Sequence, residues 1–143
     1  MLTTENVHLQ YGKHRVIYGA DIEVERGEIV TIIGANGSGK STILKSLSRN
    51  LKPSYGTVYL DGREILSMNT KEVAKKLAVL PQIHSVPDDF SVRDLVSYGR
   101  FPHLSPAGRL HHHDFVAVDN AIEMTKMGHL QHRLVSTLSG GER

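Results

Sequence analysis

The 143-residue sequence contains no cysteine, and this absence excludes disulfide bonds and zinc sites built on thiolates. The sequence also lacks long apolar runs, since no stretch approaches the roughly 20 residues that a membrane-spanning helix needs. Its first residues, MLTTENVHLQYGK, have neither the basic start nor the apolar core of a secretory signal. We therefore expect a protein of a reducing compartment, without a leader or a membrane span.

Charge of one sign is not concentrated anywhere along the chain. The formal net charge is +2, and lysine and arginine are scattered rather than clustered, so a nucleic-acid-binding surface is not indicated. Apolar residues make up 39% of the sequence, which is enough for one hydrophobic core in a chain of this length. The composition thus favours an α/β protein of single-domain size.

Three patterns organise the first fifty residues. Residues 2–9 and 16–24 are rich in β-branched types and alternate loosely, which predicts two antiparallel strands joined by a turn at YGKHR. The continuous apolar run EIVTIIG, residues 28–34, predicts a strand buried on both faces. Apolar residues at helical spacing then predict a helix from residue 40 to about residue 50.

The middle of the chain predicts a hairpin, a short helix with a further strand, and then a subdomain boundary. YGTVYLDGRE, from Tyr55, indicates a short strand and an Asp-Gly turn. TKEVAKKLAVLPQ indicates a short helix capped by Thr70 that runs into a strand ending at Pro81. We place a subdomain boundary near Gln82, which divides the chain into residues 1–82 and 83–143.

The sequence of residues 83–143 predicts mainly helices. Ser91 can cap a helix over VRDLVSYG, and Phe115, Val118 and Ile122 form the apolar face of a second predicted helix. RFPHLSPAGRL carries two prolines and a glycine and predicts a loop.

The glycine-rich stretch GANGSGKS, residues 34–41, matches the pattern G-x-x-x-x-G-K-[ST] completely. Glycines let backbone N–H groups converge on a phosphate, and the following helix directs its positive dipole end at the same anion. Lys40 can reach the β- and γ-phosphates, and the Ser41 hydroxyl is placed to bind Mg²⁺. The alternative is a glycine turn that only joins a strand to a helix. The predicted nucleotide-binding residues are Gly34, Ala35, Asn36, Gly37, Ser38, Gly39, Lys40, Ser41 and Thr42.

The last six residues, LSGGER, narrow this prediction. Taken alone they could be an ordinary turn before a helix. Together with GANGSGKST, they resemble the signature of the ATP-binding-cassette (ABC) ATPase family. The resemblance implies that the signature of one subunit caps the γ-phosphate held by the glycine loop of a second subunit, so that two ATP lie within a dimer. The signature residues are Leu138, Ser139, Gly140, Gly141 and Glu142.

Three further positions fit the same resemblance. Tyr11 stands where the family places an aromatic ring that stacks on adenine, and Val16 stands where a side chain contacts the sugar. Gln82 matches the glutamine that contacts Mg²⁺ and the attacking water. The alternatives are a tyrosine packed on the core and a solvated loop glutamine. The implied fold is an α/β P-loop NTPase core with N-terminal antiparallel strands and a helical subdomain.

Within the family, SVRDLVSYGRFPHL resembles the ATPase subunits of importers for ferric siderophores, haem and vitamin B12. Arg100, Phe101, Pro102 and His103 carry this likeness, although a proline-terminated helix end would also explain them. The resemblance implies transmembrane permease subunits as partners, with a substrate-binding protein acting indirectly. It also implies a peripheral location on the cytoplasmic face of the plasma membrane.

The family places a buried strand ending in Asp-Glu after the signature, and no such run occurs in this chain. We therefore expect an N-terminal portion of the ABC domain that exposes apolar surface and does not turn over ATP alone. Two other interpretations stay open: a soluble ABC protein that acts on ribosomes or DNA, and a non-catalytic nucleotide-binding regulator. Another class of ABC transporter would also fit.

Consecutive histidines, His111 to His113, raise the question of a metal site. Three adjacent side chains cannot all face one ion, and no cluster of carboxylates or cysteines accompanies them. The pattern therefore favours a solvated run.

Overall fold

The computed structural model describes residues 1–80, 89–105 and 108–142. The chain forms two compact units, Met1–Val79 and Leu80–Arg143. Within the described ranges, no helix has the length and apolarity needed to cross a membrane. Gln82, at the predicted boundary, lies outside the described residues, and the assignment of the two parts to an ABC core and a helical subdomain stays a prediction.

The first unit contains an antiparallel sheet of five strands in its described part. The strand order is β2-β1-β4-β5, and β3 also pairs with β1. The hairpin predicted around YGKHR is confirmed, since Tyr11 pairs with His14. The strands are β1 (Leu2–Tyr11), β2 (His14–Ala20), β3 (Glu23–Val24), β4 (Tyr55–Leu60) and β5 (Arg63–Glu64).

The single strand predicted over residues 16–24 is broken between β2 and β3, and the break has a polar cause. The Thr4 hydroxyl donates to the Ala20 carbonyl oxygen at 3.0 Å and accepts the Ile22 N–H at 2.8 Å. The Asp21 carboxylate accepts the N–H of Asn6. These contacts satisfy backbone groups that leave the ladder at the break, so the strand can end without burying an unpaired donor.

Glycine is required where β1 and β4 cross. The register of this pair shifts between Glu5 and His8, and Asn6 has a positive φ of 47°. Gly56 has a φ of 80° and lies directly against the backbone carbonyl oxygens of Glu5 and Asn6. A bulge of this kind sharpens the twist of the sheet, and only a residue without a Cβ fits against it.

Two predicted strands are wrong. Residues 28–34 form no strand, and Ile29 and Ile33 are 92% and 90% exposed. Residues 78–80, after the short second helix, also lack strand structure. Local sequence favours an extended chain at both places, but a strand needs a hydrogen-bonded neighbour, and the described residues supply none. The expected exposure of apolar surface at residues 28–34 is confirmed.

Helix α1, Lys40–Leu47, packs its buried face on the sheet, and helix α2, Thr70–Ala74, closes the core at the other end. Asn69, and not Thr70, caps α2, because its side chain accepts the Lys71 N–H at 2.9 Å. The Asp-Gly turn is confirmed at positions 61 and 62, where both residues have positive φ. The core of this unit is formed by Val7, Leu9, Ile43, Leu47, Val58, Leu60, Ile65, Met68 and Val73.

The second unit contains helices α3, Val92–Tyr98, and α4, His112–Met124. Ser91 caps α3 as predicted. Its hydroxyl oxygen accepts the Asp94 N–H, and the Asp94 carboxylate accepts the Ser91 N–H. On α4, Val118 and Ile122 are buried, but Phe115 is 45% exposed, so the predicted apolar face is wrong at that position. The small core consists of Val92, Leu130, Val135 and Leu138.

The crossing of β1 and β4 generates a stability prediction. Gly56→Ala should lower the free energy of unfolding by about 3 kcal/mol, because the added Cβ meets rigid backbone in a left-handed conformation. Gly62→Ala is the matched control: its φ is +75° but its Cβ would enter open space, so the cost is ~1 kcal/mol. Urea denaturation of both variants measures the difference. If both variants lost the same free energy of unfolding, the close approach of Gly56 to the β1 backbone would not be the cause.

Candidate functional site

The glycine loop lies between residue 33 and the start of α1, and its bends occur at glycine. Gly37 and Gly39 have φ values of 81° and 94°, which residues with a Cβ rarely adopt. The Ser38 N–H donates to the Ala35 carbonyl oxygen at 3.2 Å and closes the turn. Most of the loop is exposed, and α1 begins at its end, so the loop lies at the positive end of a helix.

Lys40, the first residue of α1, turns back over this loop. Its ammonium group donates to the Gly34 carbonyl oxygen at 2.8 Å and to the Ala35 carbonyl oxygen at 2.7 Å. A lysine ammonium has three donors, so one N–H remains for an anion that enters the loop. The two carbonyl contacts hold the charge at the mouth of the loop, which is the place where a phosphate would be neutralised.

Two apolar residues of β2 hold the loop against the sheet. A Cβ at Gly39 would lie 2.6 Å from Ile17 Cδ1 and 3.1 Å from Val16 Cγ1. Val16 was predicted at the site, but Ile17 was missed, and alternation along β2 would not have indicated it, since neighbouring strand residues ordinarily point to opposite faces. Gly34 is similarly restricted, because a Cβ there would lie 2.7 Å from Ser38 Oγ.

The predicted adenine-stacking residue lies at the end of β1. Tyr11 is 47% exposed, and Lys45 of α1 places its ammonium 5.9 Å from the centroid of the ring. This distance is within the range of a cation–π contact. An exposed ring that is held beside the helix after the loop has a face available for a flat ligand.

The two hydroxyl residues that follow Lys40 differ in their access to a magnesium ion. Ser41 is exposed in the first turn of α1, whereas Thr42 is buried in the unit. An exposed hydroxyl next to a phosphate-binding loop is the donor that Mg²⁺ uses in such sites. The residues therefore fit the ion at Ser41. Gln82, the other predicted ligand, lies outside the described residues.

The signature residues form a turn in the second unit. Leu138 is buried in the core of this unit and anchors the turn, while Ser139, Gly140 and Gly141 are exposed. The Ser139 N–H and hydroxyl both donate to a carboxylate oxygen of Glu142. Sequence reasoning missed this contact, although the S-x-x-E spacing of a capping box could have indicated it.

A buried ion pair holds the segment that resembles the importer subgroup. Arg100 Nε and Nη2 each lie 2.9 Å from Asp114 Oδ1, and the Asp114 side chain is only 1% exposed. The His111 N–H donates to Asp114 Oδ2 at 3.0 Å. That backbone hydrogen bond, with the Arg100 guanidinium, lowers the pKa of the Asp114 carboxyl below its ordinary value. Asp114 was not among the predicted residues.

The consecutive histidines lie at the start of α4. The rings of His111 and His113 are stacked at 5.9 Å with an angle of 7° between their planes, and His113 Nε2 lies 3.4 Å from Asp114 Oδ2. In the described ranges, no group of three or more histidine, aspartate or glutamate side chains is arranged to hold a metal ion.

The pKa of Asp114 generates a pH-dependent prediction. Because the folded pKa is lowered, the stabilisation is complete above the ordinary aspartate pKa and is lost as the pH falls through the folded value. Asp114→Asn should therefore lower the melting temperature at pH 7, and this deficit should shrink toward pH 3, below the ordinary aspartate pKa of about 3.9. Thermal melts of the wild type and the variant at both pH values measure this deficit in melting temperature.

Asp119→Asn is the matched control, since Asp119 pairs with Arg93 but is 58% exposed. Exposed pairs contribute little to stability, so this variant should change the melting temperature much less. A deficit of Asp114→Asn that stays constant between pH 7 and pH 3 would contradict the assignment.

A glycine loop that opens a helix, with a lysine folded over its carbonyl groups, defines a P-loop protein. Residues 17–143 match the family model described as ABC transporter. The chain therefore belongs to the ABC transporter family.

Two named relatives are similar to this chain over almost its whole length. The chain is 44% identical over 142 residues to the iron(3+)-hydroxamate import ATP-binding protein FhuC of Bacillus subtilis (strain 168), covering 99% of this chain and 53% of the relative. It is 42% identical over 142 residues to the ferric enterobactin transport ATP-binding protein FepC of Escherichia coli (strain K12), covering 99% of this chain and 52% of the relative.

A solved structure shows the same fold. A nucleotide-free ATP-binding cassette from an ABC transporter is 28% identical, with a TM-score of 0.74, and the match covers 99% of this chain and 60% of that one. The chain thus spans about half the length of the curated relatives that it matches.

Proposed function

We propose that this chain is the nucleotide-binding part of an ABC import ATPase that couples ATP hydrolysis to uptake of an iron chelate. The observation that carries the proposal is the loop of residues 34–41, whose lysine is held at the mouth with one N–H free to meet a phosphate. The import of iron(3+)-hydroxamate and the transport of ferric enterobactin, for which the two relatives are named, support the choice of substrate class.

The predicted site residues of the first unit each have a proposed role in binding ATP. The loop N–H groups surround the β- and γ-phosphates, and Lys40 neutralises their charge. Ser41 would hold Mg²⁺ through its hydroxyl, and the ion would supply positive charge that offsets the charge of the transferring phosphoryl group. Tyr11 stacks on the adenine ring, and Val16 lies against the sugar.

The second unit supplies the other wall of a shared site. The exposed turn of residues 139–141 offers a hydroxyl and glycine N–H groups, which suit the γ-phosphate bound by a second copy of the protein. Two copies would then enclose two ATP, and ATP binding would close the pair. Hydrolysis would remove the γ-phosphate and let the pair separate.

Turnover needs a group that activates water. Gln82 is the residue of this chain proposed to orient the attacking water, and the carboxylate that polarises the water is not among the 143 residues. We therefore expect the 143-residue chain to bind nucleotide weakly without turnover.

A membrane permease is the proposed partner, with a substrate-binding protein acting through it. The segment Phe101–His103 and the preceding Arg100 are held in place by buried Asp114, which gives the proposed docking segment a fixed conformation. The protein would then act at the cytoplasmic face of the plasma membrane, and energy would pass through this segment and Gln82.

Lys40 gives the direct test of the nucleotide site. Lys40→Ala should weaken ATP binding by about tenfold to a hundredfold, which is the effect of losing one charge-assisted hydrogen bond to a phosphate. Isothermal titration with Mg²⁺ and ATP measures the affinity, and Lys52→Ala, an exposed lysine of the same unit, is the control. Equal affinity of the two variants, or Mg²⁺-dependent hydrolysis by the 143-residue chain alone, would contradict the proposal.

Partner capture tests the transport role. The protein encoded by the gene should copurify with a permease of the iron-chelate class, and that permease should stimulate its ATPase activity. Stimulation only by an unrelated permease would reject the substrate class. Capture of ribosomes or DNA would favour a soluble ABC protein, and capture of none of these would favour a nucleotide-binding regulator.

A further inference from the structure

The signature turn in this chain is bonded to its own glutamate. The Ser139 N–H lies 2.8 Å and the Ser139 hydroxyl 2.7 Å from the same oxygen of Glu142, Oε2. The Glu142 N–H in turn donates to the Ser139 carbonyl oxygen at 3.1 Å. One anionic oxygen therefore takes both of the donors with which Ser139 could bind a ligand.

These donors are the ones that a phosphate oxygen would need. A carboxylate oxygen and a phosphate oxygen are both anionic acceptors, and each can take two donors at the distances seen here. The hydrogen bonds from Ser139 lower the pKa of Glu142, and the nearby charges of Arg133 and His129 act in the same direction. The side chain is thus a carboxylate at neutral pH, and its Oε2 takes the two Ser139 donors that a phosphate oxygen would take.

The two glycines that follow Ser139 have open space beside their backbone. A Cβ added at Gly140 or Gly141 would meet nothing within 4 Å in the described part of the chain, and both residues are exposed. Leu138 is buried and keeps the turn attached to the core. The turn can therefore receive a ligand without unfolding, provided that Ser139 turns its donors away from Glu142.

The cap of α3 contains a serine–acid pair in the same unit, and it shares the two donor contacts. The Ser91 N–H and hydroxyl both donate to Asp94 Oδ2, and the Asp94 N–H also donates to Ser91 Oγ at 3.1 Å. At the signature, the Glu142 N–H instead donates to the Ser139 carbonyl oxygen, while the Ser139 hydroxyl donates to the carboxylate. The turn would keep its backbone hydrogen bond if the carboxylate were removed.

We propose that Glu142 is a positioning residue that competes with the ATP phosphate for the Ser139 donors and so sets the nucleotide concentration at which two copies associate. This inference rests on the proposed function. A glutamine at this position has no charge, and its amide N–H₂ can donate to Ser139 Oγ. The serine proton would then be directed outward, toward a phosphate oxygen.

The test uses the protein as its gene encodes it, with a non-hydrolysable ATP analogue. Sedimentation velocity gives the analogue concentration for half-maximal association of the wild type, Glu142→Gln, Ser139→Ala and the double variant. Glu142→Gln should lower this concentration by about three- to tenfold, the range expected for gaining one hydrogen bond. In the Ser139→Ala background, the same change should have no effect.

Glu123→Gln, an exposed glutamate of α4, controls for the general loss of charge and should leave association unchanged. Glu142→Ala also frees Ser139 and should act in the same direction, which gives a second variant if Glu142→Gln does not fold. Association that is unchanged or weaker in the Glu142 variants would overturn the inference. If Glu142→Gln also strengthened association in the Ser139→Ala background, the inference would be overturned too, since the carboxylate would then act without Ser139.

The same measurements distinguish failure of the proposed function from failure of the proposed role of Glu142. If the wild type does not associate with the analogue and Lys40→Ala does not change its binding, both proposals fail. If the wild type associates in a manner that depends on Lys40 and Glu142→Gln matches it, only the role of Glu142 is rejected.

Discussion

Strand β1 has hydrogen-bonded neighbours on both edges, and the first unit depends on this arrangement. Its first residues pair with β3 and its later residues with β2, while β4 pairs with it from Leu2 to His8. The change of partner occurs near Asn6, where the register shifts and Gly56 makes its close approach. Because Val16 and Ile17 of β2 contact Gly39, the position of the phosphate-binding loop follows from the same pairing.

Features set by neighbouring residues were predictable from sequence. The glycine loop with Lys40 and Ser41, the cap at Ser91 and the Asp-Gly turn each depend on residue types at short fixed spacing. The cap of α2 was wrong by one residue because Asn69 and Thr70 are both good capping residues, and the observed hydrogen bond comes from Asn69.

Features that depend on distant residues were not predictable in the same way. The break between β2 and β3 needs the Thr4 hydroxyl, which is 18 residues before Ile22. Residues 28–34 have the composition of a strand, but pairing is a property of two segments, and one segment cannot specify it. At the site, Asp114 was missed because its burial depends on a contact with Arg100, which lies 14 residues away, beyond α3, and which local sequence does not specify.

The exposed segment of residues 28–34 also affects how the chain behaves in solution. EIVTIIG is β-branched and carries a single charge, and the backbone of this segment forms no ladder with other described strands. With Ile29 and Ile33 almost fully exposed, the segment presents both free backbone groups and apolar side chains to other molecules. In concentrated solution, copies of the 143-residue chain would add to one another as strands along this segment, and aggregation would compete with folding.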